Sequence, residues 1–142
     1  MTTAAAVTLI VPSVVAADIL HHARRELPNE ACGLLSGDAA SGSVRAFHAA
    51  RNELASPFRF SVDPRDLVRI TYQIEATGED LVAIFHSHPR TAAEPSASDI
   101  REARYPDALH LLSGANGELR AWRIAAVGAT EVPLCVTPEP AG

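Results

Sequence analysis

The sequence predicts an α/β (α+β) domain, a mixed β-sheet flanked by helices. Three observations carry this prediction. Strand-like and helix-like stretches follow one another in the order β-α-β-β-β-α-β-α-β-β-β. Leu81-Val82-Ala83-Ile84-Phe85 is a nearly continuous apolar run, as expected of a strand covered on both faces. Two stretches repeat apolar residues at helical spacing and carry helix start signals. The 142 residues suffice for one domain with a sizeable core and are too few for two. The expected domain covers residues 1–136, and the Pro-rich tail, 137–142, is expected to be flexible.

Val7 to Val11 reads as the first strand. Pro12-Ser13 opens a helix with Ser13 as the expected N-cap. Val15, Ile19 and Ala23 form its apolar stripe, and Arg24-Arg25 lie near its C-terminal end, where positive charge is favoured. His21 and His22 are adjacent, so on a helix they point about 100° apart and are poor ligands for one metal. A solvated or half-buried role is expected for both. Pro28-Asn29 ends this helix, and Ala31 to Ser36 is apolar enough for a buried strand. Gly37 to Gly42 is turn material, and Ser43 to Ala50 is the hairpin partner, with His48 expected at the surface or an edge. After a loop from Arg51 to Pro57, Phe58 to Val62 reads as a short strand. Asp63 then caps a second helix with Pro64 at its first position. Leu67, Ile70, Thr71 and Ile74 form the inner face, and Gly78 ends the helix. The central strand is Asp80 to His86, and a short helix runs from Ser96 to about Arg104. Three strands are expected to follow, over Ala108–Leu112, Leu119–Ala126 and Glu131–Val136. His110 falls within the first of them, on an undetermined side.

Composition narrows the classes of function. A net charge of -5 without basic clusters gives no footprint for nucleic acid or an anionic membrane. Met1 to Ala17 is apolar, but no Lys or Arg precedes it and Pro12 interrupts it, so it does not read as a signal peptide. No stretch is long enough to span a membrane as a helix. Cys32 and Cys135 are too few for a disulfide framework or a Cys-rich zinc site, and a cytoplasmic setting is expected.

The stretch that carries chemistry is Phe85 to Asp99, F-H-S-H-P-R-T-A-A-E-P-S-A-S-D. His86 and His88 lie two apart at the end of a strand, so both imidazoles project from one face. Together they can reach a single metal ion. Asp99 is the nearest carboxylate that a turn and a new helix could bring back to them. Two nitrogens and one oxygen leave a fourth tetrahedral position open, the arrangement that separates catalytic from structural zinc sites. Ser96-x-x-Asp99 is also close to a helix capping box. The two readings are compatible, because the cap fixes the helix and the helix fixes Asp99.

The combined pattern H-x-H-x7-S-x-x-D resembles the signature of the JAMM (MPN-plus) zinc metalloprotease family, with His86, His88, Ser96 and Asp99 in its slots. The family also uses an upstream glutamate near the start of a buried strand. Pro28-Asn29-Glu30-Ala31-Cys32-Gly33-Leu34-Leu35-Ser36-Gly37 resembles that element, with Glu30 in the catalytic slot. The resemblance implies a curved sheet of JAMM/MPN (cytidine-deaminase-like) architecture carrying zinc at its edge.

It further implies one zinc ion per chain on His86, His88 and Asp99, with Glu30 as general base and Ser96 as oxyanion donor. The implied reaction is hydrolysis after the C-terminal Gly-Gly of a ubiquitin-like protein. The stretch between Glu30 and His86 is short, like that of the stand-alone prokaryotic branch, whose implied substrates are ubiquitin-like sulfur carriers joined to cysteine or to a protein lysine. The alternative is a non-catalytic scaffold of the same fold, which would have no need for all four of His86, His88, Asp99 and Glu30. Cys32 would share a strand face with Glu30, as a pocket residue or as inert packing. The zinc-deaminase pattern is not met, because the chain has no C-x-x-C.

Overall fold

The structure is a computed structural model that describes residues 7–138. Eight strands and three helices are formed among them: β1 (Leu9–Pro12), α1 (Ser13–Arg25), β2 (Cys32–Asp38), β3 (Ser43–Ala50), α2 (Pro64–Thr77), β4 (Asp80–Ser87), α3 (Ala97–Glu102), β5 (Leu109–Ser113), β6 (Leu119–Ala125), β7 (Gly128–Val132) and β8 (Leu134–Thr137). The strands form one sheet in the order β7-β6-β5-β4-β2-β3-β1-β8. Parallel pairing joins β4 to β5 and β1 to both β3 and β8, and the other neighbours are antiparallel. The expected mixed sheet flanked by helices is therefore present.

The sheet is strongly curved, and one residue requires it. Strands β7 and β8 lie at opposite ends of the strand order, yet only Pro133 separates them in sequence. The Leu9 N–H donates to the Pro133 carbonyl at 2.9 Å, so the two ends meet and the sheet is nearly closed. Proline has no N–H for the ladder, so a strand continuing through it would lose a bond. This corrects the expectation of one strand over Glu131–Val136. The part before Pro133 pairs with β6 and the part after it with β1. Thr137 belongs to β8, so the expected tail begins after it, and residues 139–142 lie outside the described residues.

Strand alternation sorts the apolar residues onto two faces. Leu35, Phe85 and Leu111 join Leu9, Val11 and Ile19 in the main core under α1. On the other face Cys32, Leu34 and Ile84 pack with Ile70 and Ile74 of α2. The second helix is built as expected. The Asp63 carboxylate accepts from the Arg65 and Asp66 N–H groups, Pro64 is the first helical residue, and Gly78 at φ 73° closes the helix in the left-handed region.

Several expectations are corrected. Phe58 to Val62 forms no strand; it makes only an isolated bridge between Asn52 and Val62. The Asn52 amide oxygen accepts from the Leu54 and Ser61 N–H groups, and its nitrogen donates to the Arg59 carbonyl. A side chain thus takes backbone groups that a neighbouring strand would otherwise pair. Ser13 is the first residue of α1 rather than its cap, and Pro12 at the cap makes no side-chain bond. Strand β2 runs on to Asp38 past register shifts at Ser36. Helix α3 stops at Glu102 because Ala103 is extended. His22 is buried, with Nε2 3.1 Å from the Cys32 carbonyl, because its face of α1 packs on β3, where the Phe47 ring lies 5.7 Å from its own. His48 is half-buried in a strand with neighbours on both sides, and its Nε2 lies 2.8 Å from Ser36 Oγ. No helix among the described residues is long and apolar enough to cross a membrane.

Candidate metal centre

The site forms where the end of β4 meets the start of β2. These strands are antiparallel, with Cys32 opposite His86 and Leu34 opposite Ile84. Glu30, two residues before Cys32, is thereby carried to the level of His88. Ser87, between the two histidines, makes the join. Its Oγ accepts from the Ala31 N–H at 2.7 Å, and its own N–H donates to the Ala31 carbonyl at 3.0 Å. On the other side the His88 N–H donates to the Ser113 carbonyl at 2.7 Å. The strand end is therefore held to both neighbours.

Three side chains converge there. His86 Nε2 and His88 Nε2 are 3.2 Å apart. Asp99 Oδ2 lies 3.2 Å from the first and 2.9 Å from the second. The three donor atoms are within 4.8 Å of one another, a spacing that one metal ion could bridge. Asp99 reaches them from α3, whose capping box is formed in both directions. The Ser96 N–H donates to Asp99 Oδ2 at 2.9 Å, and the Asp99 N–H donates to Ser96 Oγ at 3.1 Å.

The donor chemistry fits a cation. His88 Nδ1 lies 2.8 Å from the Ala92 carbonyl, so this nitrogen carries the proton. In the neutral ring Nε2 is then a bare acceptor facing a carboxylate oxygen and a second imidazole. An ion or a proton among them removes that repulsion. A ligand histidine held through its other nitrogen is also the usual outer arrangement of metal sites. Burial opposes ionisation of Asp99, yet hydrogen bonds from His86 and from His88 in its protonated form hold its carboxyl well below the usual carboxylate range. Two nitrogens and one oxygen are a donor set that suits zinc.

Glu30 stands beside this cluster without joining it. It is 3% exposed, and its Oε1 has no hydrogen-bond partner. Burial pushes its carboxyl up to about 8, with the positive charge of His88 acting in the opposite direction. Its backbone is fixed on both sides. The Glu30 N–H donates to the Ser56 carbonyl at 2.8 Å, and the Asn52 side chain donates to the Glu30 carbonyl at 3.1 Å. Cys32, one step along the same face, is fully buried in the α2-side core, and burial pushes its thiol up to about 12. It is packing.

The sequence reading missed five contributors. Phe60 stacks on the His86 ring at 4.4 Å and 17°, which fixes the plane of that imidazole. Asn52 ties the Phe60 loop to Glu30. Ser87 locks the two strands together. Trp122 Nε1 donates to the Ala93 carbonyl, and the Ala93 N–H donates to Glu118 Oε1, so the Pro-rich loop after His88 is moored to the β5–β6 hairpin. Only Ser87 carried a usable signal, as a small hydroxyl residue inside a buried strand end.

A cavity of about 600 Å³ opens beside the cluster, lined by Leu34, Phe60, Ile84, His86, Asp99 and His110 among others. His110, whose side was undetermined from sequence, therefore faces this cavity. The Arg59 guanidinium pairs with the Glu102 carboxylate across its walls, at 2.5 and 3.2 Å to the two oxygens.

Comparison with known proteins gives the family. Residues 12–125 match the family described as prokaryotic homologs of the JAB domain. The desampylase of Haloferax volcanii is 37% identical over 108 residues, which cover 72% of this chain and 78% of that protein. The CysO-cysteine peptidase of Mycobacterium tuberculosis is 34% identical over 134 residues, covering 89% and 92%. The solution structure of a Desulfitobacterium hafniense protein superposes with a TM-score of 0.83 at 32% identity, covering 92% of this chain and 93% of that one. The matched region contains the histidine pair, the aspartate and Glu30, and the chain belongs to the prokaryotic JAB-domain family as a peptidase or isopeptidase.

Proposed function

We propose that this protein is a zinc-dependent peptidase that cleaves the bond after the C-terminal Gly-Gly of a ubiquitin-like sulfur-carrier protein, in the cytoplasm. The single observation that carries the proposal is the convergence of His86 Nε2, His88 Nε2 and Asp99 Oδ2 beside a buried, unpaired Glu30. Two relatives, a desampylase and a CysO-cysteine peptidase, support the substrate class. Residues 1–136 act as one unit in this reading.

His86, His88 and Asp99 hold one zinc ion, which when bound supplies Lewis acidity toward a carbonyl and a water. Glu30 does the proton transfer. Its burial raises its proton affinity toward neutrality, where a carboxyl can both accept and return a proton. It takes a proton from the attacking water and hands it to the leaving amine, which departs poorly unless protonated. Glu30 lies outside the group His86, His88 and Asp99 that would hold the ion. Ser96 Oγ, next to Asp99, donates a hydrogen bond to the oxyanion. In this structure the same oxygen accepts the Asp99 N–H, which an outgoing hydroxyl proton does not disturb. An extended Gly-Gly tail has no side chain to obstruct close approach, and it can pair with exposed backbone as an added strand.

The test is direct. Purified protein is incubated with carrier conjugates in which Gly-Gly is joined to cysteine or to a lysine ε-amine, and the products are identified by mass spectrometry. Cleavage after the second glycine, abolished by a chelator and restored by zinc, is expected. Intact conjugates with zinc-loaded protein would remove the proposed substrate class.

A further inference from the structure

Glu118 reaches His88 through a single peptide group. It lies immediately before β6 and is half-buried. Its Oε1 accepts the Ala93 N–H at 3.1 Å. That N–H belongs to the same peptide unit as the Ala92 carbonyl, which lies 2.8 Å from His88 Nδ1 and accepts its proton. The N–H and C=O of a trans peptide point in opposite directions, so the carboxylate and the imidazole engage opposite sides of one planar group. Holding the loop does not by itself require the carboxylate. The Ala115 N–H donates to the Thr91 carbonyl at 2.8 Å, Trp122 Nε1 donates to the Ala93 carbonyl at 2.9 Å, and the His88 N–H donates to the Ser113 carbonyl at 2.7 Å. The hairpin nevertheless leaves room for Glu118. A Cβ at position 114 would lie 2.9 Å from the Ala93 nitrogen and 3.0 Å from Glu118 Oε1, so any side chain there would push the loop and the carboxylate apart, and glycine stands there.

A carboxylate is a stronger acceptor for an N–H than a neutral group is. It also polarises the peptide, which makes the carbonyl on the far side a better acceptor in turn. The Ala92 carbonyl serves two donors, His88 Nδ1–H and the Glu94 N–H at 2.8 Å, so its strength matters. A ligand histidine whose Nδ1–H is firmly held keeps its ring orientation and is the more basic at Nε2. We propose that Glu118 is a positioning residue for the metal, acting through the Ala92–Ala93 peptide to hold His88 Nδ1–H and strengthen His88 Nε2 as a ligand. The inference rests on the zinc reading of the His86, His88 and Asp99 cluster and extends it to a residue outside that cluster.

Glu118→Gln keeps the shape and an oxygen for the Ala93 N–H but removes the charge, while Glu118→Ala removes the acceptor. Glu94→Gln is the control, because it takes a charge from the same loop at a side chain that pairs with Arg120. Zinc affinity is measured by competition with a chromophoric chelator, and the His88 Nδ1–H proton is followed by NMR in the zinc-loaded proteins. Loss of an outer partner of a metal ligand costs about 10- to 100-fold in metal affinity. Glu118→Gln should therefore weaken zinc about tenfold and Glu118→Ala up to about a hundredfold, with Glu94→Gln unchanged. The His88 Nδ1–H resonance should move upfield in both Glu118 variants as its hydrogen bond weakens. Wild-type zinc affinity in Glu118→Gln, an equal loss in Glu94→Gln, or a His88 resonance that does not move would each overturn the inference. Should Glu118→Ala not fold, Glu118→Gln decides alone by the same two readings. Zinc affinity that depends on Glu118 in a protein that cleaves no conjugate would remove the proposed substrate and leave this inference standing. Zinc-dependent cleavage with an affinity indifferent to Glu118 would do the reverse.

Discussion

His110→Leu should make the protein more stable, and increasingly so as the pH falls. Leucine nearly matches the histidine in volume and removes two unpaired buried nitrogens. Burial pushes the His110 ring down to about 4, from an ordinary value of about 6.5. The groups that act on it are His86, which pushes the same way, and Asp99, which opposes. A lowered folded-state value means that the unfolded chain takes up a proton first as pH falls. Stability is then unaffected by His110 above about pH 6.5 and is lost between there and about 4. Each unit is worth about 1.36 kcal/mol, so at pH 5 the loss is about 1.5 units, or about 2 kcal/mol. The variant lacks this loss. Urea unfolding of both proteins at pH 7.5 and 5.0, with chelator present so that metal release does not enter, measures it. The gap between variant and wild type should widen by about 2 kcal/mol on going to pH 5. A gap that is the same at both pH values would refute the description of His110 as a buried neutral imidazole.

Other outcomes follow from the cluster and its supports. Glu30→Gln should keep zinc and carrier affinity and lose about a hundredfold or more of kcat, read by single-turnover cleavage and zinc content on one preparation. His88→Ala should lose most bound zinc by elemental analysis, and equal metal content in variant and wild type would remove the assignment. Zinc at a hundred times its Kd should raise the stability of the wild type by about 2.7 kcal/mol, seen as a higher Tm that a chelator reverses. Ser96→Ala should lose about 1 kcal/mol of stability through its cap and about a hundredfold of rate if it also serves the oxyanion. A rate that stays at wild type would leave it a cap only.

The convergence of His86, His88 and Asp99 was legible because local geometry dictates it. His86 and His88 two apart on a strand share a face whatever the rest of the chain does, and Ser96 with Asp99 is a local cap. The fold class was legible for a similar reason, from the buried run Leu81–Phe85 and the caps around Asp63 and Gly78. What stayed hidden depends on contacts distant in sequence. Nothing in Arg51–Pro57 indicates that Asn52 will take the backbone groups of its own loop and displace the strand expected at Phe58–Val62. Pro133 lay inside the strand expected over Glu131–Val136, and that its two sides go to opposite ends of the sheet follows only from closure. The side taken by His110 was undetermined because a short apolar strand with one polar residue reads alike in either orientation.

The same alternation explains how a buried sheet can hold polar chemistry without losing its core. Along β4, Ala83 and Phe85 belong to the main core, while Ile84 and His86 face the cavity, and His88 continues that row past the strand end. Ser87 should by this rule point into the core, where an unpaired hydroxyl would be costly. It is instead spent on the Ala31 N–H, the backbone group that follows Glu30. One residue of the H-x-H motif therefore ties the strand that carries both histidines to the backbone beside the proposed base. An alanine there would leave the Ala31 N–H without its partner and loosen Glu30, while both histidines keep their strand. The middle position of the motif is in this way a positioning residue, because the spacing of two that pairs the histidines also places a hydroxyl against the strand of Glu30.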